Sequence, residues 1–199
     1  MSEPNPEFLE RSHVGWRVLS RGGDDGDGMM EPSTQALVGL VPNGVAYRVG
    51  LAADHGGFAL KTELIRSLIA VGWDVVDFGA HELDPADDYP DFVIPLAAAI
   101  AHGDLTRGIA LCGSGVGVCI VANKFPGVRA GLVHDVYSAH QGVEHDDMNV
   151  ACLGGTVIGS GLALDLTRVF LNARFSGHPR NLRRLAKVRA IEHLGLLKE

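Results

Sequence analysis

Apolar positions along the chain fall into two alternating periods. "AYRVGLAAD" is a continuous apolar run of strand length, and "FALKTELIRSLIAVG" repeats Leu60, Leu64, Ile65 and Leu68 at helical spacing. The alternation then continues. "WDVVDFG" predicts a second strand, and the polar loop "AHELDPADDYPD" leads to a helix over "FVIPLAAAIAHG", closed by Gly103. Pro95 is expected near the first turn of that helix, where a missing N–H costs nothing. "RGIALCG", "VRAGLVHD" and "NVACLGG" predict further strands; "VGVCIVANKF", "VYSAHQGVEH" and "GSGLALDLTRVFLNARF" predict the helices between and after them. A basic helix over "PRNLRRLAKVRAIEHLG" completes the pattern.

Strands that alternate with helices predict right-handed crossovers. The expected architecture is therefore an α/β, Rossmann-like, three-layer α/β/α sandwich with a mainly parallel sheet, plus a C-terminal basic helix. In such sheets ligands bind beyond the carboxyl ends of the strands. Asp54, His55, the loop Cys112 to Gly117, His134 and Asp135 all fall at predicted strand ends.

Composition modifies this picture at one end. Residues 1–44 contain "MSEPNPEFLERS" and "RGGDDGDGMMEPS", which bury too little apolar surface to offset their ordering entropy. They are expected to be an extension, poorly ordered or docked through Trp16, Val18 and Leu19, on a domain spanning 45–199. The net charge of −7 over 199 residues argues against nucleic acid as a partner. No segment has the length and apolarity of a membrane span or signal peptide. Three cysteines without a CxxC pair suit reduced thiols in the cytoplasm.

The candidate chemistry lies in "CGSGVG". It lacks the GK[ST] of a phosphate-binding P-loop, and Gly113, Gly115 and Gly117 do not give the dinucleotide fingerprint. Converging glycine amides at a helix start nevertheless favour an anion, either a phosphate or the oxyanion of an enediolate. Cys112 directly precedes those amides, where a reactive thiolate is favoured over an inert buried thiol.

"ADHGGFALK", "DDYPDF", "CGSGVGVCIVANK", "VRAGLVHDVYSA", "EHDDMNV" and "RNLRR" occur in that order. Together they resemble the type B ribose-5-phosphate isomerase and galactose-6-phosphate isomerase family, over about Val45 to Glu192. The resemblance implies an aldose–ketose isomerase that needs neither metal nor redox cofactor. It makes Cys112 the proton-transferring base, since Val118 stands where some members carry a glutamate. Ser114 and the backbone of Gly113, Gly115, Val116 and Gly117 would hold the reacting oxygen, and His145 would open the sugar ring. Asp54 would meet a substrate hydroxyl, and His55, Arg180 and Arg184 the phosphate, with Asp146 close by.

Two positions depart from the family pattern: Asp146 replaces an asparagine, and Thr156 an arginine. Ribose 5-phosphate is the expected substrate, with tetrose or hexose phosphates as alternatives. A non-catalytic sugar-phosphate binder and a metal enzyme using His134, Asp135, His140 and His145 are the readings from other classes. The resemblance further implies a homodimer or dimer of dimers with shared sites.

Overall fold

The computed structural model describes residues 17–19 and 48–196. Six strands form one sheet: β1 (Arg17–Leu19), β2 (Arg48–Ala53), β3 (Asp74–Asp77), β4 (Arg107–Cys112), β5 (Ala130–Leu132) and β6 (Val150–Gly154). Six helices accompany them: α1 (Phe58–Ala70), α2 (Tyr89–His102), α3 (Val116–Ala122), α4 (Val136–Asp146), α5 (Ser160–Asn172) and α6 (Pro179–Leu196). The strand order is β1-β3-β2-β4-β6-β5. All pairings are parallel except that of β1 with β3. The order reverses between β2 and β4, so the crevice beyond their carboxyl ends is the switch point of the sheet.

Alternate strand residues feed two separate cores, which makes the sandwich three-layered. Val49, Leu51, Ile109 and Leu111 pack with Leu64 and Leu68 of α1, Val143 of α4 and Phe170 of α5. Ala52, Ala110, Cys112 and Cys152 face the other way, toward Phe92, Leu96 and Ile100 of α2 and Val118 of α3. The parity that buries Ala110 thus turns Cys112 toward the α2–α3 layer.

Two elements differ from the sequence expectation. Helix α2 begins at Tyr89, inside the expected loop, so Pro95 lies in the helix interior rather than its first turn. Pro90 provides the reason: with φ fixed near the helical value, it starts a helix as soon as Asp88 leaves the extended region. In the extension, Val18 and Leu19 belong to β1, which adds antiparallel to β3; Trp16 lies outside the described residues.

Lys61 of α1 is buried beneath the carboxyl edge of the sheet. Its ammonium lies 2.5 Å from Asp77 Oδ1 and donates to the Ala80 carbonyl at 2.8 Å, and Asp77 also accepts from Gly79 N. Burial pushes the Lys61 pKa down, and Asp77 opposes that shift. The pair ties the end of β3 to α1. Among the described residues, no helix is long and apolar enough to cross a membrane.

Candidate active site

Three strand-end loops meet at the switch point, and glycines permit their close approach. A Cβ on Gly56, after β2, would lie 2.7 Å from Gly113 N after β4. One on Gly155, after β6, would lie 2.4 Å from Gly56 O. The loop after β4 is further pinned by Gly155 N donating to Cys112 O at 2.8 Å and Thr156 N to Gly113 O at 3.0 Å. Gly115 adopts φ 79° and ends the turn into α3.

That turn brings Gly115 N–H onto the Cys112 sulfur at 3.1 Å. Cys112 is buried, with 5% of its surface exposed. The amide fixes the sulfur at the start of the glycine turn. Ser114 Oγ accepts from Val116 N at 3.2 Å, and the Tyr89 ring covers Gly117, where a Cβ would approach it to 2.9 Å.

Asp54 and His55 leave β2 beside this loop. Asp54 is buried and accepts from Gly57 N at 3.2 Å; burial raises its pKa, and the Gly57 hydrogen bond opposes this. His55 is exposed and doubly held by Asp87 Oδ1, through Nδ1 at 2.6 Å and through its backbone N at 2.9 Å. That hydrogen bond raises the His55 pKa, so the imidazolium persists above the ordinary range. With Nδ1 on Asp87, Nε2 is left for a ligand. Asp54, His55 and Asp87 also bring ligand-capable atoms within 4.8 Å of one another. Among the described residues, His134, Asp135, His140 and His145 do not form such a group.

The remaining candidates lie at the other edge of the sheet. His145 is in the last turn of α4, with Nδ1 2.8 Å from Gln141 Nε2 and Nε2 3.8 Å from Glu144. The turn that follows is fixed to the starting edge of the strands. Arg107, the first residue of β4, donates to Met148 O, and Gly108 N donates to Asn149 O at 2.9 Å. Arg129 binds the Asp147 carboxylate at 2.7 Å and holds that residue in the left-handed region at φ 52°. Cys112 ends the same strand that Arg107 begins, and the length of β4 is about 16 Å at the usual rise per residue.

Arg180 and Arg184 belong to this second group. Ser176 N donates to Glu144 O, which docks the segment before α6 on the end of α4. Arg184 lines a cavity with Gln141 and Asp146, and Cys112 and its loop are not part of that wall. The same wall reaches Leu132 and Ser138 at the carboxyl end of β5, so one chain carries two sets of candidates that share no cavity wall. Asp54, His55, Cys112 and the glycine loop form one; His145, Asp146, Arg180 and Arg184 form the other.

Sequence reasoning did not single out Asp87, Tyr89 or the direction of Thr156. The Thr156 hydroxyl donates to Gly113 O at 2.6 Å, so this side chain braces the glycine loop. Asp87 is hidden in the acidic run "DPADDYPD", where only the His55 contact sets it apart.

The mostly parallel sheet, the switch-point crevice and a cysteine on a glycine turn define an α/β protein with a candidate active site at the carboxyl edge of its strands. Residues 49–188 match the family model described as Ribose/Galactose Isomerase, and the chain belongs to that family. It is 37% identical to ribose-5-phosphate isomerase B of Escherichia coli over 73% of this chain and 96% of the relative. It is 39% identical to D-erythrulose-4-phosphate isomerase of Pectobacterium atrosepticum, covering 65% of this chain and 85% of that one. Among solved structures, ribose-5-phosphate isomerase B of Mycoplasma genitalium with bound ribulose-5-phosphate superposes with a TM-score of 0.71. It shares 36% identity, over 75% of this chain and 98% of that one.

Proposed function

We propose that the chain interconverts ribose 5-phosphate and ribulose 5-phosphate, with Cys112 as the proton-transferring base. The observation that carries this reading is the Gly115 N–H to Cys112 Sγ hydrogen bond at the switch point. The thiolate removes the proton from C2 of the open-chain aldose, and the electron pair forms the C1–C2 double bond. The carbonyl oxygen becomes the enediolate oxyanion, stabilised by amides of the Gly113–Gly117 loop. Return of the proton to C1, with the hydroxyl proton passing from O2 to O1, gives the ketose. A positioned base supplies about 10²–10⁴-fold, and each oxyanion donor about 2.7–4 kcal/mol. The two contributions are comparable.

Ring opening by His145 and phosphate binding by Arg180 and Arg184 draw on a second copy of the chain in this reading; the cavity that Arg184 and Asp146 line does not include Cys112 or its loop. Exposed Val116 and Ile120 on α3, Leu132 on β5, and Val136 and Tyr137 on α4 supply apolar surface for that pairing near the carboxyl edge. A shared-site homodimer is the minimal assembly, and free Cys112, Cys119 and Cys152 suit a cytoplasmic setting. A tetrose phosphate is the second reading. Thr156 is committed to Gly113 O instead of a phosphate, and the Pectobacterium relative carries a tetrose-phosphate name.

The test is turnover and C2-proton exchange with solvent, measured in wild type and Cys112→Ala on a panel of four-, five- and six-carbon sugar phosphates. Loss of both in a folded Cys112→Ala protein is expected. Undiminished exchange would remove Cys112 from the mechanism. Mixing Cys112→Ala with His145→Ala chains should restore activity if each site draws on two copies, and continued inactivity after confirmed subunit exchange would refute the sharing.

A further inference from the structure

A separate concentration of positive charge lies at the starting edge of the sheet. A cavity of about 460 Å³ is lined by Arg48, the first residue of β2, with Arg107, Arg129 and Arg174 around it. Asp147 is the one carboxylate in this lining, and Leu105 and Leu171 contribute apolar wall. None of the candidate active-site residues takes part.

Collecting guanidinium groups against an apolar wall is unfavourable in itself. Arg107 registers the strain. Burial pushes its pKa down, Asp147 opposes that shift, and the neighbouring Arg174 and Arg129 add to the depression. Three of the arginines are partly compensated. Arg107 donates to the Met148 and Ala173 carbonyls and lies 5.2 Å from the Phe170 ring centroid. Arg129 binds Asp147, and Arg174 donates to the carbonyls of Leu171, Asn172 and Ala173. Most of these partners are neutral dipoles, so positive charge remains in excess. The Arg48 side chain, by contrast, has no hydrogen bond or ion pair among the described residues.

We propose that this cavity is a second ligand site, which takes a small phosphate-bearing anion between Arg48 and the other three arginines. Guanidinium forks match phosphate oxygens in geometry, and several forks suit a multiply charged anion better than a single carboxylate. The volume falls within the range of small-molecule sites. Asp147 and Asn149 line the same cavity and belong to the turn that follows His145 and Asp146. An anion bound here would therefore brace the turn that presents those two residues. The proposal is independent of the catalytic reading, because its readout is binding without turnover.

The test is calorimetric titration of the full-length chain with inorganic pyrophosphate in wild type, Arg48→Gln, Arg48→Lys and Arg66→Gln. Wild type should bind, with affinity that falls as salt is raised. Arg48→Gln should weaken binding about 10- to 100-fold, the usual effect of losing one charged hydrogen-bonding partner. Arg48→Lys should keep most of the affinity, and Arg66→Gln, an exposed arginine of α1 outside the cavity, should leave it unchanged. Arg48 is exposed, and circular dichroism establishes that each variant is folded. Absence of binding to wild type, equal binding by wild type and Arg48→Gln, or a loss in Arg66→Gln as large as that in Arg48→Gln would overturn the proposal.

Discussion

Replacing Gly115 with alanine probes the backbone that delivers an amide to Cys112. Gly115 has φ 79°, a conformation that costs an ordinary residue about 1–2 kcal/mol. The added Cβ would also lie 2.6 Å from Leu132 Cδ1, 2.9 Å from the Leu153 carbonyl carbon and 3.1 Å from Gly154 N. The Leu132 side chain can rotate away, but the β6 backbone cannot, and overpacking of this kind typically costs about 1–3 kcal/mol. Together the two effects predict a loss of about 2–5 kcal/mol. If the turn relaxes to escape the clash, the Gly115 amide leaves the sulfur, and kcat should fall by about 10²–10³, as for a lost oxyanion donor. Urea denaturation gives the first quantity and initial rates give the second. Gly161, near the start of α5, is the control. A Cβ there meets nothing within 4 Å, so Gly161→Ala should gain about 0.5–1 kcal/mol and leave kcat unchanged. A Gly115→Ala protein with wild-type stability and wild-type kcat would refute the argument that the turn is both strained and functional.

Asp87→Asn should narrow the pH range of phosphate recognition. The His55 imidazolium is fully present below about pH 6.5, the ordinary value, and Asp87 extends it upward until pH passes the raised value. In the variant KM should therefore begin to rise near pH 6.5, while wild type holds to higher pH; coincident KM profiles would dismiss the role of Asp87. Lys61→Met should destabilise by up to about 3–5 kcal/mol, because the buried Asp77 loses its ammonium partner and retains the Gly79 N–H and His81 Nδ1 at 3.5 Å. Lys61→Met/Asp77→Leu should recover much of that loss, and a double variant no more stable than the single one would contradict the assignment. Thr156→Val should lower kcat with little effect on the melting temperature, since the lost hydroxyl braces only the Gly113 carbonyl.

The fold was legible because strand-length apolar runs and helical repeats alternate without interruption. The alternation of Ala110 and Cys112 with Ile109 and Leu111 follows directly from the two-residue period. The early start of α2 was harder to read, since Pro90 can open a helix as readily as a turn, and the acidic residues before it look like loop. Among the site residues, Cys112, Asp54 and His55 were legible from their places at strand ends.

The separation of His145 from Cys112 was present in the chain but needed a length rather than a motif. A helix of 11 residues that starts near a strand's carboxyl end returns about 16 Å toward the opposite edge. Asp87 was not legible at all. Its selection from a run of similar carboxylates depends on the path of a loop, which neither periodicity nor spacing encodes.

Among the described residues, the two outer strands of the sheet, β1 and β5, each span only three residues. A ladder that short offers another chain too few hydrogen bonds to extend the sheet across a molecular boundary. In the proposed homodimer the copies would therefore join through side chains, and the apolar face around Ile120 and Tyr137 stands at the β5 side of the molecule. Association of this kind buries hydrocarbon instead of adding strands, so it should weaken on cooling, when the hydrophobic contribution declines. Chilling would then separate the copies while each sheet stays whole, and Cys112, parted from the histidine proposed to open the ring, would survive in a folded but silent half.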